Sequence, residues 1–380
     1  MPNSFRKYFL PLICIVLFIC CIVVFIYCWF WCPKQPEYTV GVYYYPWYYN
    51  DFHGKQYLRE KLVPPQTPEL GEYNDRDENV ISQHIIWSFF AGVDLWVVSW
   101  WGPNSREDIT VRNHILTNPN LNDLKIAVFY ETEGRTNGFS AYANVLSDIE
   151  FIADNYFNHP NYLKIDGKPV LFIYLTRVLS LRGTLGSTIG TIRSAAAGKG
   201  YQLFIIGDQI WGSPPSATAD IALLDGITNY DVYGNMGASM YAGQTSVNTY
   251  YDKQAEWKAL AQSSNVGFIP GVVPGFNDKG VRNVASHIPL SRKLTASSEY
   301  GSLFRTMLQK AKQFVDKRVG RMIMITSWNE WHEDTQIEPV NLASPTTTDV
   351  SPSGNDYTNG LEYEGYGKRY LQILREETYP

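Results

Sequence analysis

Short runs of consecutive apolar residues recur along most of this chain: Tyr38–Tyr45, Leu95–Trp100, Lys125–Tyr130, Pro169–Tyr174, Leu203–Ile206, Gly226–Tyr230, Gly267–Val273 and Met322–Thr326. Their apolar character is nearly continuous rather than alternating, which predicts strands buried on both faces. Between them lie segments that read as helices: Glu78–Ala91, Tyr142–Asn155, Ile189–Ala197, Tyr250–Ser263 and Leu303–Arg318. Strands alternating with helices predict an α/β fold with a parallel sheet and crossover connections. Eight such units predict a (β/α)8 TIM barrel, in which functional side chains gather at the C-terminal ends of the strands. One Gly-rich stretch, Gly183–Gly190, follows no clean strand-to-helix turn and reads as a flexible loop.

A longer apolar run precedes these units. Residues 8–32 carry no charge, follow Arg6 and Lys7, and end at Pro33-Lys34. A helix of roughly 20 apolar residues crosses a bilayer, and a cleaved signal peptide has a shorter apolar stretch of about 7–15 residues. The pattern predicts one N-terminal transmembrane helix retained as a signal anchor. The expected organisation is a cytoplasmic tail at 1–7, the anchor at 8–32, a short stem at 33–37 and one (β/α)8 domain at 38–380. The basic residues before the run favour a cytoplasmic N-terminus.

Composition narrows the chemistry. All five cysteines lie between Cys14 and Cys32, so the domain has no disulfide framework, thiolate nucleophile or cysteine metal site. Lys and Arg number 32 against 37 Asp and Glu, for a net charge of −5, which gives no basic face for nucleic acid. The histidines show no metal-ligand spacing, and neither a phosphate loop nor a serine nucleophile elbow is present. No cofactor is expected. Aromatic residues make up 15% of the chain, an excess that suits a surface for flat-faced ligands such as sugars.

The expected rim of the barrel can be read off the strand ends. Tyr44-Tyr45-Pro46-Trp47 follows the first run, Ser99-Trp100-Trp101 the second and Glu131-Thr132-Glu133 the third; Asp208, Asn229-Tyr230-Asp231 and Asn329-Glu330 end later ones. The last is the most pointed. Glu330 and Glu333 stand three residues apart just after an apolar strand, beside Trp328 and Trp331. Cleavage of a glycosidic bond needs a proton donor at the leaving oxygen and a second carboxylate at the sugar. A solvated acidic loop after a core strand is the plainer alternative for any Glu-x-x-Glu.

The segment Thr326–Glu333 with Thr335-Gln336-Ile337-Glu338 closely resembles glycoside hydrolase family 99, the endo-α-mannosidase and endo-α-mannanase family. Tyr44–Tyr48, Glu69–Tyr73 with Arg76-Asp77, Ser99-Trp100-Trp101, and Phe268-Ile269-Pro270 with Pro274-Gly275 match in order. The resemblance implies retaining cleavage of internal α-1,2-mannosidic bonds through a 1,2-anhydro sugar. In that scheme Glu330 is the base on the 2-hydroxyl and Glu333 the acid/base. It implies that Glu131 and Tyr230 hold the reacting mannose, that Tyr44 and Asn329 line the pocket, and that Trp101 serves the next subsite. It further implies an α-mannose glycan as partner and a type II protein of the Golgi membrane. A non-hydrolytic glycan-binding or glycosyltransferase-like relative is the alternative. Two positions depart from the pattern. Asp334 replaces a Gly, and is expected to raise the pKa of Glu333 and to strain its loop. Tyr57–Leu62 replaces a His/Trp-rich loop.

Overall fold

The computed structural model describes residues 37–135, 144–216, 218–237 and 240–379. The expected anchor at 8–32 and all five cysteines lie outside them, as do the first two residues of the helix expected at Tyr142–Asn155. Among the described residues, no helix is long and apolar enough to cross a membrane.

Residues Tyr38–Tyr379 form one compact unit. Its strands are β1 Thr39–Tyr44, β2 Leu95–Trp100, β3 Lys125–Tyr130, β4 Lys164–Ile165, β5 Lys168–Ile173, β6 Phe204–Asp208, β7 Gly226–Thr228, β8 Gly267–Phe268, β9 Gly271–Val272, β10 Met322–Ile325, β11 Val340–Thr346 and β12 Tyr363–Gly367. Each of the eight apolar runs carries a strand, and the seventh is split into β8 and β9. The main sheet runs in the order β8-β7-β6-β5-β3-β2-β1-β10-β9, with all neighbours on that path parallel. It is a curled, TIM-like α/β sheet. Both ends of the path belong to one stretch of chain, separated only by Ile269-Pro270. These two residues keep contact on either side: Ile269 N donates to Ile227 O at 3.0 Å, and Pro270 O accepts from Met324 N at 3.0 Å.

β2 and β10 are buried at every position, which explains their unbroken apolar character. The helix Glu78–Ala91 falls where its pattern placed it. Asp77 caps it by accepting from Asn79 N, and left-handed Gly92 ends it. Other expectations need correction. The Gly-rich stretch 183–190 is not a loop throughout: a helix runs from Leu185 to Gly198, with Leu185, Ile189, Ile192 and Ala196 buried on one face. That apolar spacing outweighs the glycines. The helix expected at Leu303–Arg318 stops at Ala311, and a separate 3-10 turn at Lys317–Val319 starts from Asp316, whose side chain accepts from Arg318 N.

Candidate active site

The loop after β10 folds back on itself. Ser327 N donates to Thr335 O at 2.9 Å and Ile337 N to Ser327 O at 3.0 Å, which ties its two ends together. Within it, Tyr48 donates its hydroxyl to Asn329 O at 2.6 Å and accepts from Trp331 N at 3.0 Å. Asn329 is fully buried; its side chain accepts from Tyr45 N at 2.8 Å and donates to Tyr45 O at 3.0 Å. It therefore locks the ends of β1 and β10 together.

Glu330 leads into a 3-10 turn, Trp331–Glu333. Its amide donates to Ser327 Oγ at 2.8 Å, while its Oε1 accepts from His332 N at 3.0 Å and lies 3.1 Å from His332 Nδ1. One turn further, Glu333 Oε1 is 3.1 Å from Arg282 Nη2, and its Oε2 is buried with no hydrogen-bond partner among the described residues. Burial raises the Glu333 pKa, the Glu330 charge raises it further, and Arg282 opposes both. One carboxyl thus accepts from the His332 backbone N–H and lies beside the His332 ring, while its neighbour is biased toward holding a proton.

Both acids open on a cleft of about 340 Å³ with Trp47, His53, Gln56, Arg282 and His332. Burial and the neighbouring His332 lower the His53 pKa to about 4, so its ring is neutral at neutral pH. A larger surface cleft of about 680 Å³ lies elsewhere, with the ion pairs Arg305–Glu376, Arg369–Glu364 and Lys293–Glu362 among its lining residues.

Glu131 follows β3 and accepts from Ser99 Oγ at 2.6 Å; Ser99 Oγ in turn accepts from Trp101 Nε1 at 2.9 Å. Burial pushes the Glu131 carboxyl up to about 8, against the Ser99 bond and with the repulsion of Glu330. Trp101 is half-buried and lies 6.5 Å from Trp47 between ring centroids. Its ring covers Gly134, where a Cβ would sit 2.5 Å from Trp101 Cε3. The Tyr230 hydroxyl is hydrogen-bonded to that of Tyr45.

Tyr44 does not face this cleft. Successive side chains of a strand point to opposite faces, and Tyr44 takes the outer one. There it stacks on Trp96 at 4.2 Å, with its hydroxyl 3.0 Å from His84 Nδ1. Tyr45, the next residue, is the one that meets Tyr230. Trp328 and Trp331, which flank the acids in the sequence, are buried in the core and present no face to a sugar. Trp331 Nε1 donates to Glu338 Oε2 at 2.8 Å. The residues sequence reasoning passed over, His53, Gln56 and Arg282, come from irregular segments without a periodic signal.

Asp334 takes the left-handed conformation, φ 49, that a Gly would adopt freely. Its charge does not bear on Glu333 as expected, because Arg59 and Arg292 neutralise it. Burial works against its ionisation, yet Arg292 and Arg59 hold its carboxyl below the ordinary range.

Comparison with known proteins gives a consistent result. The sequence model of glycosyl hydrolase family 99 matches residues 21–357. The glycoprotein endo-alpha-1,2-mannosidase of Rattus norvegicus is 25% identical over 359 residues, 83% of this chain and 71% of the relative. The Mus musculus protein of the same name is 26% identical over the same shares. Among solved structures, an endo-alpha-mannosidase of this family from Bacteroides thetaiotaomicron superposes with a TM-score of 0.61 at 25% identity, covering 90% of this chain and 98% of that one.

Proposed function

We propose, from the premise that this chain belongs to glycosyl hydrolase family 99, that it cleaves internal α-1,2-mannosidic bonds of N-glycans or mannans with retention. The protein is a glycosidase of endo-α-mannosidase type. The linkage, the mechanism and the residue roles are our reading. The observation that carries it is the placement of Glu330 and Glu333 on one cleft, with one acid held by the His332 backbone N–H and the other biased toward protonation.

In this reading Glu330 takes the proton of the mannose 2-hydroxyl as that oxygen attacks C1. The C1–O bond to the leaving sugar breaks, and Glu333 delivers its proton to the departing oxygen. A 1,2-anhydro sugar results. Water then attacks C1, giving its proton to Glu333, as the C1–O2 bond breaks and the 2-oxygen recovers a proton from Glu330. Two inversions give net retention. Glu131 and Tyr230 would hold the reacting mannose, and Trp101 would offer its ring to the next sugar. We further read β8 and β9 as one strand bent at Pro270, which makes the sheet a closed (β/α)8 barrel. The apolar run at 8–32 would anchor the protein in the Golgi membrane with the barrel lumenal; in sealed vesicles the barrel should then resist added protease, and its digestion would contradict that topology.

The test of the roles is Glu333→Gln. A general acid typically contributes about 10²–10⁴-fold, so the variant should lose at least that on a substrate with a sugar leaving group. Turnover close to wild type would remove Glu333 from the mechanism.

A further inference from the structure

Directly behind Glu333 lies a group of three buried charges. Asp334 Oδ1 accepts from Arg59 Nε at 2.6 Å and from Gln336 Nε2 at 3.1 Å. Its Oδ2 accepts from Arg292 Nε at 3.2 Å, and its backbone oxygen accepts from Arg292 Nη2 at 2.6 Å. All three charged side chains are 1–2% exposed. Two cations share one anion. The imbalance is eased by tyrosines: Arg59 Nη2 donates to the Tyr300 hydroxyl at 2.9 Å, and Arg292 lies 4.8 Å over the Tyr370 ring.

A buried ion cluster is a poor device for stability alone, since apolar residues of similar volume often do as well or better. What this cluster does is geometric. Arg59 lies in the 3-10 turn Leu58–Lys61, shortly after His53 and Gln56, which face the cleft. Arg292 follows the segment that supplies Arg282 to the same cleft. Asp334 adjoins Glu333 and closes its turn. Three stretches of chain that wall the cleft are therefore joined at one dry point. The same contacts hold Asp334, the residue that follows Glu333, in a left-handed conformation that an L-residue adopts at some cost.

We propose that Arg59, Asp334 and Arg292 are positioning residues, a buried clamp that fixes the Glu333 carboxyl in the cleft it shares with His53, Gln56 and Arg282. The proposal rests on the reading of Glu333 as the acid. Its role is distinct from holding the fold, because an acid out of place costs most where the leaving group needs a proton.

The experiment compares two α-mannosides with the same reacting sugar, one losing fluoride and one losing a sugar. The variants are Arg59→Met, Arg59→Lys, Asp334→Asn and, as control, Glu333→Gln. Arg59→Met leaves a neutral Asp334–Arg292 pair, so it provides a reading even if Asp334→Asn fails to fold. For Arg59→Met, kcat on the sugar leaving group should fall by about tenfold or more, while kcat on the fluoride stays within about threefold. KM should change little, and Arg59→Lys should recover part of the loss. Glu333→Gln should show the same split, only larger, in kcat/KM, which reports loss of the leaving group and not the later attack of water in which Glu333 also takes part. Equal loss on both substrates in the clamp variants, with the split intact in Glu333→Gln, would overturn the clamp and leave the acid assignment standing. No split in Glu333→Gln would overturn the acid assignment, and the clamp with it.

Discussion

Arg282 is half-exposed yet its guanidinium sits on Glu333, where it is the main influence favouring the charged carboxylate. Burial, Glu330, Asp231 and Asp278 all act the other way. Removing the cation should therefore raise the Glu333 pKa further. In the proposed mechanism the acid must carry its proton, so the basic limb of kcat/KM for Arg282→Met should move to higher pH than in wild type. A limb that stays put or moves lower would show that Arg282 does not act on the catalytic proton. At this scale, identity was legible in the sequence and orientation was not. Glu330 and Glu333 stood out because two acids three residues apart followed an apolar strand. Tyr44 ends β1 and Tyr45 follows it, and which of the two meets the site is fixed by register against neighbours far along the chain. Arg59 and Asp334 are 275 residues apart, so their pairing could not be read before the fold brought them together.

The strands were the most legible elements, because a sheet covered on both faces needs apolar residues at every position. The break in the seventh run was not read from the sequence, where Gly267–Val273 reads as one strand; its cause is Pro270, which has no N–H to give to a ladder. Gly271 immediately after it meets a close approach: a Cβ there would lie 2.5 Å from Asn229 O and 2.7 Å from Val232 Cγ2. Both partners flank Tyr230, so the contact couples β9 to the site. Gly271→Ala should destabilise the protein by about 1–3 kcal/mol, the usual cost of overpacking, read as a lower denaturant midpoint. An unchanged midpoint would mean that β9 moves aside freely. Helices were less legible. In Leu185–Gly198 one buried apolar face decides the structure despite the glycines, and Leu303–Arg318 breaks in two without a proline to announce it.

For the whole molecule, the parallel sheet is what makes a site from distant residues. It brings Trp47, Trp101, Glu131, Tyr230 and the Glu330–Glu333 loop to the same ends of β1, β2, β3, β7 and β10. The acids gathered there lie within electrostatic reach of one another: Glu330 raises the pKa of both Glu131 and Glu333. Such repulsion suits an enzyme that must keep one carboxyl protonated beside another that accepts a proton. The most direct measurement is of the first product released from a linear α-1,2-linked mannotetraose carrying a sugar cap. Proton NMR should show an intact capped disaccharide appearing as its α-anomer, and Glu333→Gln should not form it. Release of single sugars from the chain end, or a β-anomer formed first, would contradict retaining endo-cleavage by this pair.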